Sequence, residues 1–118
     1  ADDSELSRSI LRNALESGYT VFQAENGLEA MELLRRWSKN ISAVLLDLEM
    51  PVYDGYAVLK DLHDSPALVS IPVVLITAAA KSGIKIPEGS VADIIPKPFD
   101  PETVRRAVDQ AVQSRRKA

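Results

Sequence analysis

Two long apolar runs, separated by a segment of helical periodicity, most limit the folds open to this chain. Ile41 to Leu48 and Ile71 to Ala78 are almost continuously apolar, which is typical of strands that helices cover on both faces of a parallel sheet. Shorter runs at Tyr19 to Ala24 and Val91 to Ile95 also have strand character. Because these strands alternate with helices, the sequence predicts an α/β fold in which right-handed crossovers connect a doubly wound parallel sheet.

Four other segments have the one-sided apolar spacing of amphipathic helices. We predict helices at Ser4 to Ser17, Leu28 to Ser38, Tyr56 to His63 and from Pro101 onward. Gly83, Pro87 and Gly89 interrupt the region 79–90, so any helix there is expected to be short.

The composition excludes several kinds of function. A length of 118 residues favours one domain, over residues 1–118. With no cysteine and one histidine, a disulfide scaffold, a thiolate zinc site and a cysteine nucleophile are excluded, and a histidine-based triad has almost nothing to be built from. The net charge is −3, no apolar run is long enough for a membrane span, and the N-terminus is acidic. We therefore expect neither direct nucleic-acid binding nor membrane insertion. We expect a cytoplasmic location.

Polar side chains stand where the apolar strands stop. Asp47 ends one long run, Thr77 ends the other, and Lys97 follows the last strand. The carboxyl ends of parallel strands meet at one edge of a sheet, where ligands of such folds bind. Asp2 and Asp3 precede the first helix and can reach the same edge. Three carboxylates, a hydroxyl and an amine are therefore expected in one pocket.

This set of groups points to phosphoryl chemistry with a divalent cation. Clustered carboxylates repel one another, and a cation relieves the repulsion. Oxygen ligands without thiolate or imidazole suit Mg²⁺. With Thr77 and Lys97 available for phosphoryl oxygens, Asp47 is a candidate nucleophile that forms an aspartyl phosphate.

Five short motifs, in order and spacing, resemble those of the response-regulator receiver domains of two-component signalling. The likeness extends over essentially the whole chain. The motifs are Asp2-Asp3-Ser4, Leu45-Leu46-Asp47-Leu48-Glu49-Met50-Pro51, Asp54-Gly55, Ile76-Thr77-Ala78 and Pro96-Lys97-Pro98-Phe99.

The resemblance implies a fold, a reaction and a metal site. The fold would be a flavodoxin-like, five-stranded parallel sheet in the order 2-1-3-4-5. A histidine kinase or histidine phosphotransfer protein would transfer a phosphoryl group to Asp47. Mg²⁺ would be held by Asp3, Asp47 and the backbone carbonyl of Glu49, with Asp2 helping through water.

The resemblance also implies how the domain responds. Thr77 would move toward the phosphoryl group, and Lys97 would pair first with Asp47 and later with the phosphate. The peptide bond between Lys97 and Pro98 would be cis. Phosphorylation would bias an equilibrium between two conformations, so the domain is expected to be a switch and not an enzyme that acts on a free metabolite.

The chain departs from the family at the first strand of the sheet. In the family order this strand lies between Tyr19–Ala24 and Ile41–Leu48, but only Ala1 precedes the acidic pair. Its absence would leave a gap of about 9–10 Å, or two strand spacings, with unpaired backbone on both sides. We hypothesise that residues upstream of Ala1 supply the strand, or that another segment fills its place, for example by exchange between chains.

Two other departures concern the face that transmits the signal. Ile94 stands where receivers commonly have a Tyr or Phe that rotates with the threonine, and region 80–90 is short where the family has a fourth helix. We expect the chemistry at Asp47 to persist with an altered readout, as would suit a receiver tethered to kinase or effector domains.

Two other functions remain open from the residues. A haloacid dehalogenase-like phosphatase also uses an aspartyl phosphate at a strand end, but it has a second aspartate two residues later, where this chain has Glu49. A pseudo-receiver would be an interaction module with a degenerate pocket. The presence of Asp3, Asp47, Thr77 and Lys97 argues against it, whereas an absent first strand argues for it.

Overall fold

The computed structural model describes residues 1–78, 83–87 and 89–117 of the chain. Within these residues the elements follow the order α1 (Glu5–Leu15), α2 (Gly27–Arg36), β1 (Val44–Leu46), α3 (Gly55–Asp64), β2 (Val73–Thr77), β3 (Asp93–Pro96) and α4 (Pro101–Lys117). This alternation confirms the predicted α/β class. None of the helices in the described ranges is both long and apolar enough to span a bilayer.

The described strands form one parallel sheet in the order β1-β2-β3. Val44 lies opposite Val73 at the start of the first pair. Every residue of β2 is buried, as expected of a central strand between two neighbours. Because the strands share one direction, Asp47 after β1 and Lys97 after β3 emerge at the same edge of the sheet.

Helices cover both faces of this sheet. On one face, Leu46 and Leu75 pack in a cluster that includes Val58 of α3. On the other face, Val74 packs in a second cluster with Val104 of α4. All five side chains are essentially inaccessible to solvent, so truncating either leucine to alanine is expected to cost about 2–5 kcal/mol of stability.

Side-chain caps fix where the first three helices begin. Ser4, Asn26 and Asp54 each accept a hydrogen bond from the backbone N–H three residues later, at 3.2, 2.9 and 2.9 Å. A cap of this kind contributes about 1 kcal/mol. The caps of α1 and α3 place the starts of both helices beside the sheet edge that carries Asp47.

The predicted strand at Tyr19–Ala24 is wrong, because this segment forms no strand. A groove of about 630 Å³ is lined by residues 18–24 on one side and by residues 40–45 on the other. A strand persists only when a neighbour satisfies its backbone groups, and across this groove there is none in the described residues. For the same reason β1 is shorter than the predicted run Ile41–Leu48.

The sheet therefore contains the last three positions of the order 2-1-3-4-5 that the resemblance implied. The first-strand position is open, in agreement with the departure noted in the sequence. The short helix expected within region 79–90 falls largely outside the described residues, which omit 79–82 and 88.

Candidate functional site

The amine of Lys97 joins two buried carboxylates at the sheet edge. It lies 2.7 Å from Asp2 Oδ2 and 3.0 Å from Asp47 Oδ2. Asp2 precedes α1, Asp47 follows β1 and Lys97 follows β3, so three separate parts of the chain meet here. The peptide bond from Lys97 to Pro98 is cis, as the resemblance implied. The predicted pairing of Lys97 with Asp47 is confirmed, and its pairing with Asp2 was not foreseen.

Burial makes this arrangement electrostatically demanding. Asp2 is 1% exposed and Asp47 is 5% exposed, whereas Asp3 is exposed to solvent. A buried carboxylate is tolerated only when a cation or several hydrogen bonds compensate for lost hydration. A single Lys97 serves two carboxylates, so the described site carries a local excess of negative charge.

The two oxygens of Asp47 have different partners. Oδ2 accepts from Lys97, and Oδ1 accepts from the backbone N–H of Glu49 at 3.2 Å. Burial raises the pKa of Asp47 above its usual 3.8, and the bonds from Lys97 and Glu49 only partly oppose that rise. The site therefore destabilises the Asp47 anion relative to its free energy in water, which favours reaction of the anion with an electrophile.

Lys97 is held as a cation. Burial lowers the pKa of its amine, but hydrogen bonds to Asp2 and Asp47 outweigh burial and raise the pKa above its usual 10.5. Its backbone N–H also donates to the carbonyl of Thr77 at 2.9 Å. The amine is consequently charged at any physiological pH, and Lys97 is held both at its backbone and at its side-chain amine.

Asp2 is anchored by its own backbone as well as by its side chain. Its Oδ1 accepts from the backbone N–H of Ser4 at 2.9 Å, and its carbonyl accepts from the guanidinium of Arg8 at 2.8 Å. Its N–H donates to the carbonyl of Ala24 at 3.0 Å. These bonds fix the acidic pair relative to the sheet, a role for Arg8 that sequence reasoning missed.

Gly55 is required at the start of α3 because the backbone of Asp47 and Leu48 packs directly against it. A Cβ atom there would lie 2.4 Å from the carbonyl oxygen of Asp47 and 2.6 Å from Cα of Leu48. The N–H of Gly55 donates to the Leu48 carbonyl at 2.9 Å. The Asp54-Gly55 motif thus has a structural reason: Asp54 caps α3 and Gly55 lets α3 begin against the chain that carries Asp47.

Thr77 ends β2 and is fully buried. It is absent from the lining of the open cavity beside Asp47, although its carbonyl is bonded to Lys97. The expectation that the hydroxyl of Thr77 moves toward a phosphoryl group remains a prediction.

An open cavity of about 660 Å³ lies in front of Asp47. Among the described residues it is lined by Asp3, Asp47, Leu48, Glu49, Met50, Pro51, Asp54, Tyr56, Ala78 and Lys97. Sequence reasoning missed Asp54 and Tyr56, although the turn signal at residues 54 and 55 marked a loop at this position.

The carboxylates are suitably placed for a hard cation. Asp2, Asp3 and Asp47 each offer an oxygen within 4.8 Å of the other two. Ligands of Mg²⁺ at its usual distance of about 2.1 Å lie about 3–4 Å from one another, so small side-chain rotations suffice. The lining contains no imidazole, and the chain has no thiol. This donor set fits Mg²⁺.

Comparisons with known proteins agree with this geometry. The family model for the response regulator receiver domain matches residues 1–109. The chain is 36% identical over 101 residues to the polar-differentiation response regulator DivK of Brucella anthropi, with 83% of this chain and 80% of DivK covered. It is 30% identical over 115 residues to the sensor histidine kinase CheAY of Helicobacter pylori, and this match covers 95% of the chain but 14% of CheAY.

Two further matches also cover nearly all of this chain. The chain covers 50% of the probable transcriptional regulator ycf29 of Pyropia yezoensis at 32% identity, so it spans only part of several curated relatives. Among solved structures, a CheY-like receiver domain protein of Methanospirillum hungatei JF-1 has a TM-score of 0.80 at 28% identity, covering 99% of this chain and 94% of that one. The chain therefore belongs to the response regulator receiver domain family of two-component signalling.

Proposed function

We propose that this receiver domain is a phosphoacceptor switch that takes a phosphoryl group onto Asp47 from a histidine kinase or a histidine phosphotransfer protein. The observation that most supports the proposal is the position of the Lys97 amine, which contacts Asp47 and Asp2 at the edge of an open cavity. The carboxylate attacks as an anion, so no general base is needed. On this proposal the domain acts in the cytoplasm and does not turn over a free metabolite.

The transfer exchanges one bond to phosphorus for another. A carboxylate oxygen of Asp47 bonds to phosphorus while the bond from phosphorus to the donor's imidazole nitrogen breaks. The electron pair of the broken bond stays on that nitrogen, which takes up a proton from solvent. Lys97 balances the negative charge on the transferred group, because its amine is already adjacent to the acceptor oxygen. Water later hydrolyses the acyl phosphate and restores the carboxylate.

Mg²⁺ fits this proposal as the resident metal. Asp3, Asp47 and the backbone carbonyl of Glu49 would hold it, with Asp2 helping through water. When bound it would offset the charge of the phosphoryl oxygens and of the carboxylates.

The switch follows from the added charge. A phosphoryl group carries about −1.5 to −2 charges at neutral pH, which changes the balance around Lys97. We expect the amine to shift from Asp47 to the phosphoryl oxygens and the Thr77 hydroxyl to approach them. Each conformation binds the phosphorylated side chain differently, so the population shifts toward one of them.

A test separates this proposal from the two rivals. The protein is incubated with Mg²⁺ and acetyl phosphate, and separately with beryllofluoride, and its intact mass is recorded. A receiver gains one labile phosphoryl adduct at Asp47. A phosphatase turns over added phosphomonoesters, and a pseudo-receiver does neither, so either result would contradict the proposal.

Two variants make the test specific. Asp47→Asn is expected to lose the adduct entirely. Asp64→Asn alters an exposed carboxylate of α3 that pairs with the surface residue Lys60; this variant is the matched control and is expected to gain the adduct at the parent rate.

The relatives also support tethering to kinase or effector domains. One is named a sensor histidine kinase and others are named transcriptional regulators, and the chain spans 14% and 50% of the first two. We therefore propose that the switch acts on domains joined to it or bound by it. Comparing the output of the parent with that of the Asp47→Asn variant, in the longest natural protein that contains this chain, would test this.

A further inference from the structure

Tyr53 fastens the loop between β1 and α3, residues 47–54, to both neighbouring helices. Its hydroxyl donates to Oδ2 of Asp61 in α3 at 2.5 Å. Its carbonyl accepts from the N–H of Gly27, the first residue of α2, at 2.9 Å. A Cβ atom at Gly27 would collide with that carbonyl, so the glycine is needed for the contact. One residue of the loop is therefore tied to α2 through its backbone and to α3 through its side chain.

The hydroxyl of Tyr53 is suited to a lasting contact of this kind. Its hydrogen bond to Asp61 raises the pKa of the phenol above its usual 10.0, and burial adds to the rise. The hydroxyl consequently keeps its proton and remains a donor at physiological pH. A hydrogen bond to an ionised acceptor is stronger than one between neutral groups, so the bond to Asp61 can support a backbone conformation that is itself unfavourable.

The turn next to Tyr53 has such a conformation. The N–H of Tyr53 donates to the carbonyl of Pro51 at 2.7 Å, and Val52 between them has a φ of 71°. A bond from one residue to the second residue before it, around a positive φ, defines the rare and strained form of the γ-turn. A β-branched residue keeps this φ only where surrounding contacts enforce it. The side chain of Val52 is 76% exposed, so the enforcing contacts are those of Tyr53.

The same loop carries groups of the proposed metal site. The N–H of Glu49 donates to Oδ1 of Asp47, and the carbonyl of Glu49 is a proposed ligand. The N–H of Gly55 donates to the carbonyl of Leu48 at 2.9 Å and closes the loop at its base. Because both ends are held, a change of φ at Val52 has to be taken up by residues 49–51, which include the proposed ligand.

We propose that Tyr53 is a positioning residue for the metal site: its hydroxyl, bonded to Asp61, holds the loop in the strained form that fixes the position of the Glu49 carbonyl. The inference rests on the proposed Mg²⁺ site and deepens it. Tyr53 is absent from the lining of the cavity beside Asp47, so it acts through the loop and not by contact with the cation. Without the hydroxyl, Val52 relaxes toward a negative φ and the site is no longer preformed.

The test measures the Mg²⁺ dissociation constant of the full chain by following backbone amide shifts during titration with the metal. We expect Tyr53→Phe to weaken Mg²⁺ binding about tenfold, the effect of losing one hydrogen bond to a charged group. Asp61→Asn keeps an acceptor for the hydroxyl and should retain most of the affinity. Tyr19→Phe is the matched control, because it removes a tyrosine–aspartate bond of the same length, to Asp109 of α4, on the other face of the sheet. It should leave the dissociation constant unchanged.

A second substitution distinguishes positioning from a general loss of stability. Glycine adopts a positive φ without strain, so Val52→Gly should make the turn independent of the hydroxyl. We expect Val52→Gly, added to Tyr53→Phe, to restore the parent affinity for Mg²⁺. Without metal, the three-bond coupling between the amide and α protons of residue 52 reports its φ, and we expect this coupling to change in Tyr53→Phe.

The outcomes separate this inference from the proposed function. If the parent binds Mg²⁺ and Tyr53→Phe binds it equally well, the inference is wrong and the metal site stands. An equal loss of affinity in Tyr19→Phe, or no recovery with Val52→Gly, would also overturn the inference, because the effect would then follow stability alone. A parent that does not bind Mg²⁺ would instead overturn the proposed metal site, and the inference with it.

Discussion

Lys97 is the residue on which the charge balance of the site depends. Its amine is the only cation within hydrogen-bond distance of both the Asp2 and the Asp47 carboxylate among the described side chains, and both carboxylates are buried. Removing one partner of a buried ion pair leaves an uncompensated charge, which costs more than the pair contributes. The site is therefore sensitive to changes that alter charge while leaving shape nearly unchanged.

We expect Lys97→Met to lower the free energy of unfolding by about 3 kcal/mol at pH 7, because two buried carboxylates lose their shared cation. The loss should be smaller at acid pH, where Asp47, whose pKa burial raises, takes up a proton. Urea unfolding of the parent and the variant at pH 7 and at acid pH would measure this loss of stability. Lys60→Met removes a cation from an exposed pair and should leave stability almost unchanged; equal losses in the two variants would contradict this account.

The raised pKa of Asp47 gives a signed pH dependence. The folded protein binds this proton more tightly than the unfolded chain, so stability from Asp47 is fully present below pH 3.8 and is lost as the pH rises through the folded pKa. Without metal, Asp47→Asn should therefore be more stable than the parent at pH 7. The difference should close toward pH 3.8 in unfolding curves recorded with EDTA. A stability difference between variant and parent that widens as the pH falls would contradict a raised pKa of Asp47.

At the scale of elements, the loop between β1 and α3 combines a close approach with an unfavourable backbone angle. Gly55 packs against the backbone of Asp47 and Leu48, and Val52 adopts a φ of 71° while its side chain is largely exposed. A β-branched residue rarely adopts the left-handed region. The Asp54-Gly55 signal in the sequence predicted a loop here, but which glycine is indispensable depends on which backbone packs against it.

Gly55→Ala is expected to lower the free energy of unfolding by more than about 2 kcal/mol, because backbone atoms cannot move away as a flexible side chain can. Gly18→Ala is the matched control, since a Cβ there meets nothing within 4 Å. It should leave stability unchanged or raise it by up to about 1 kcal/mol. Denaturant midpoints of the two variants would show whether the distinction holds.

Val52→Gly is expected to raise the free energy of unfolding by about 1 kcal/mol, because glycine adopts a positive φ without strain. Val69→Gly changes an exposed valine that lacks a positive φ, and it should not stabilise the protein. The prediction fails if both glycine variants lose stability by the same amount.

For the whole molecule, the three strands and four helices of the described chain bring together residues that lie up to 95 positions apart, as in the bond from Lys97 to Asp2. Sequence periodicity predicted β2 and the helices well because burial patterns there are local. It failed at Tyr19–Ala24, since strand formation depends on a neighbour that local pattern cannot reveal.

At the proposed metal site Mg²⁺ should stabilise the whole fold, because its ligands would come from two parts of the chain, residues 2–3 and 47–49, that come together only in the folded protein. At one hundred times its dissociation constant a ligand adds about 2.7 kcal/mol. We expect thermal unfolding of the parent and of Asp64→Asn to shift upward with Mg²⁺ and to return with EDTA, and Asp47→Asn to show a much smaller shift. An unchanged parent midpoint at saturating Mg²⁺ would exclude the proposed metal site.

The sequence by itself determined the α/β class and the edge at which Asp47, Thr77 and Lys97 emerge, because apolar periodicity and strand-end positions are local properties of the chain, and the resemblance of its five short motifs indicated the family. Only the tertiary structure decided that Lys97 serves Asp2 as well as Asp47, that Gly55 has no room for a side chain, and that residues 19–24 lie across an open groove from β1. Those facts depend on distances between segments remote in sequence, which are set by how helices and sheet pack.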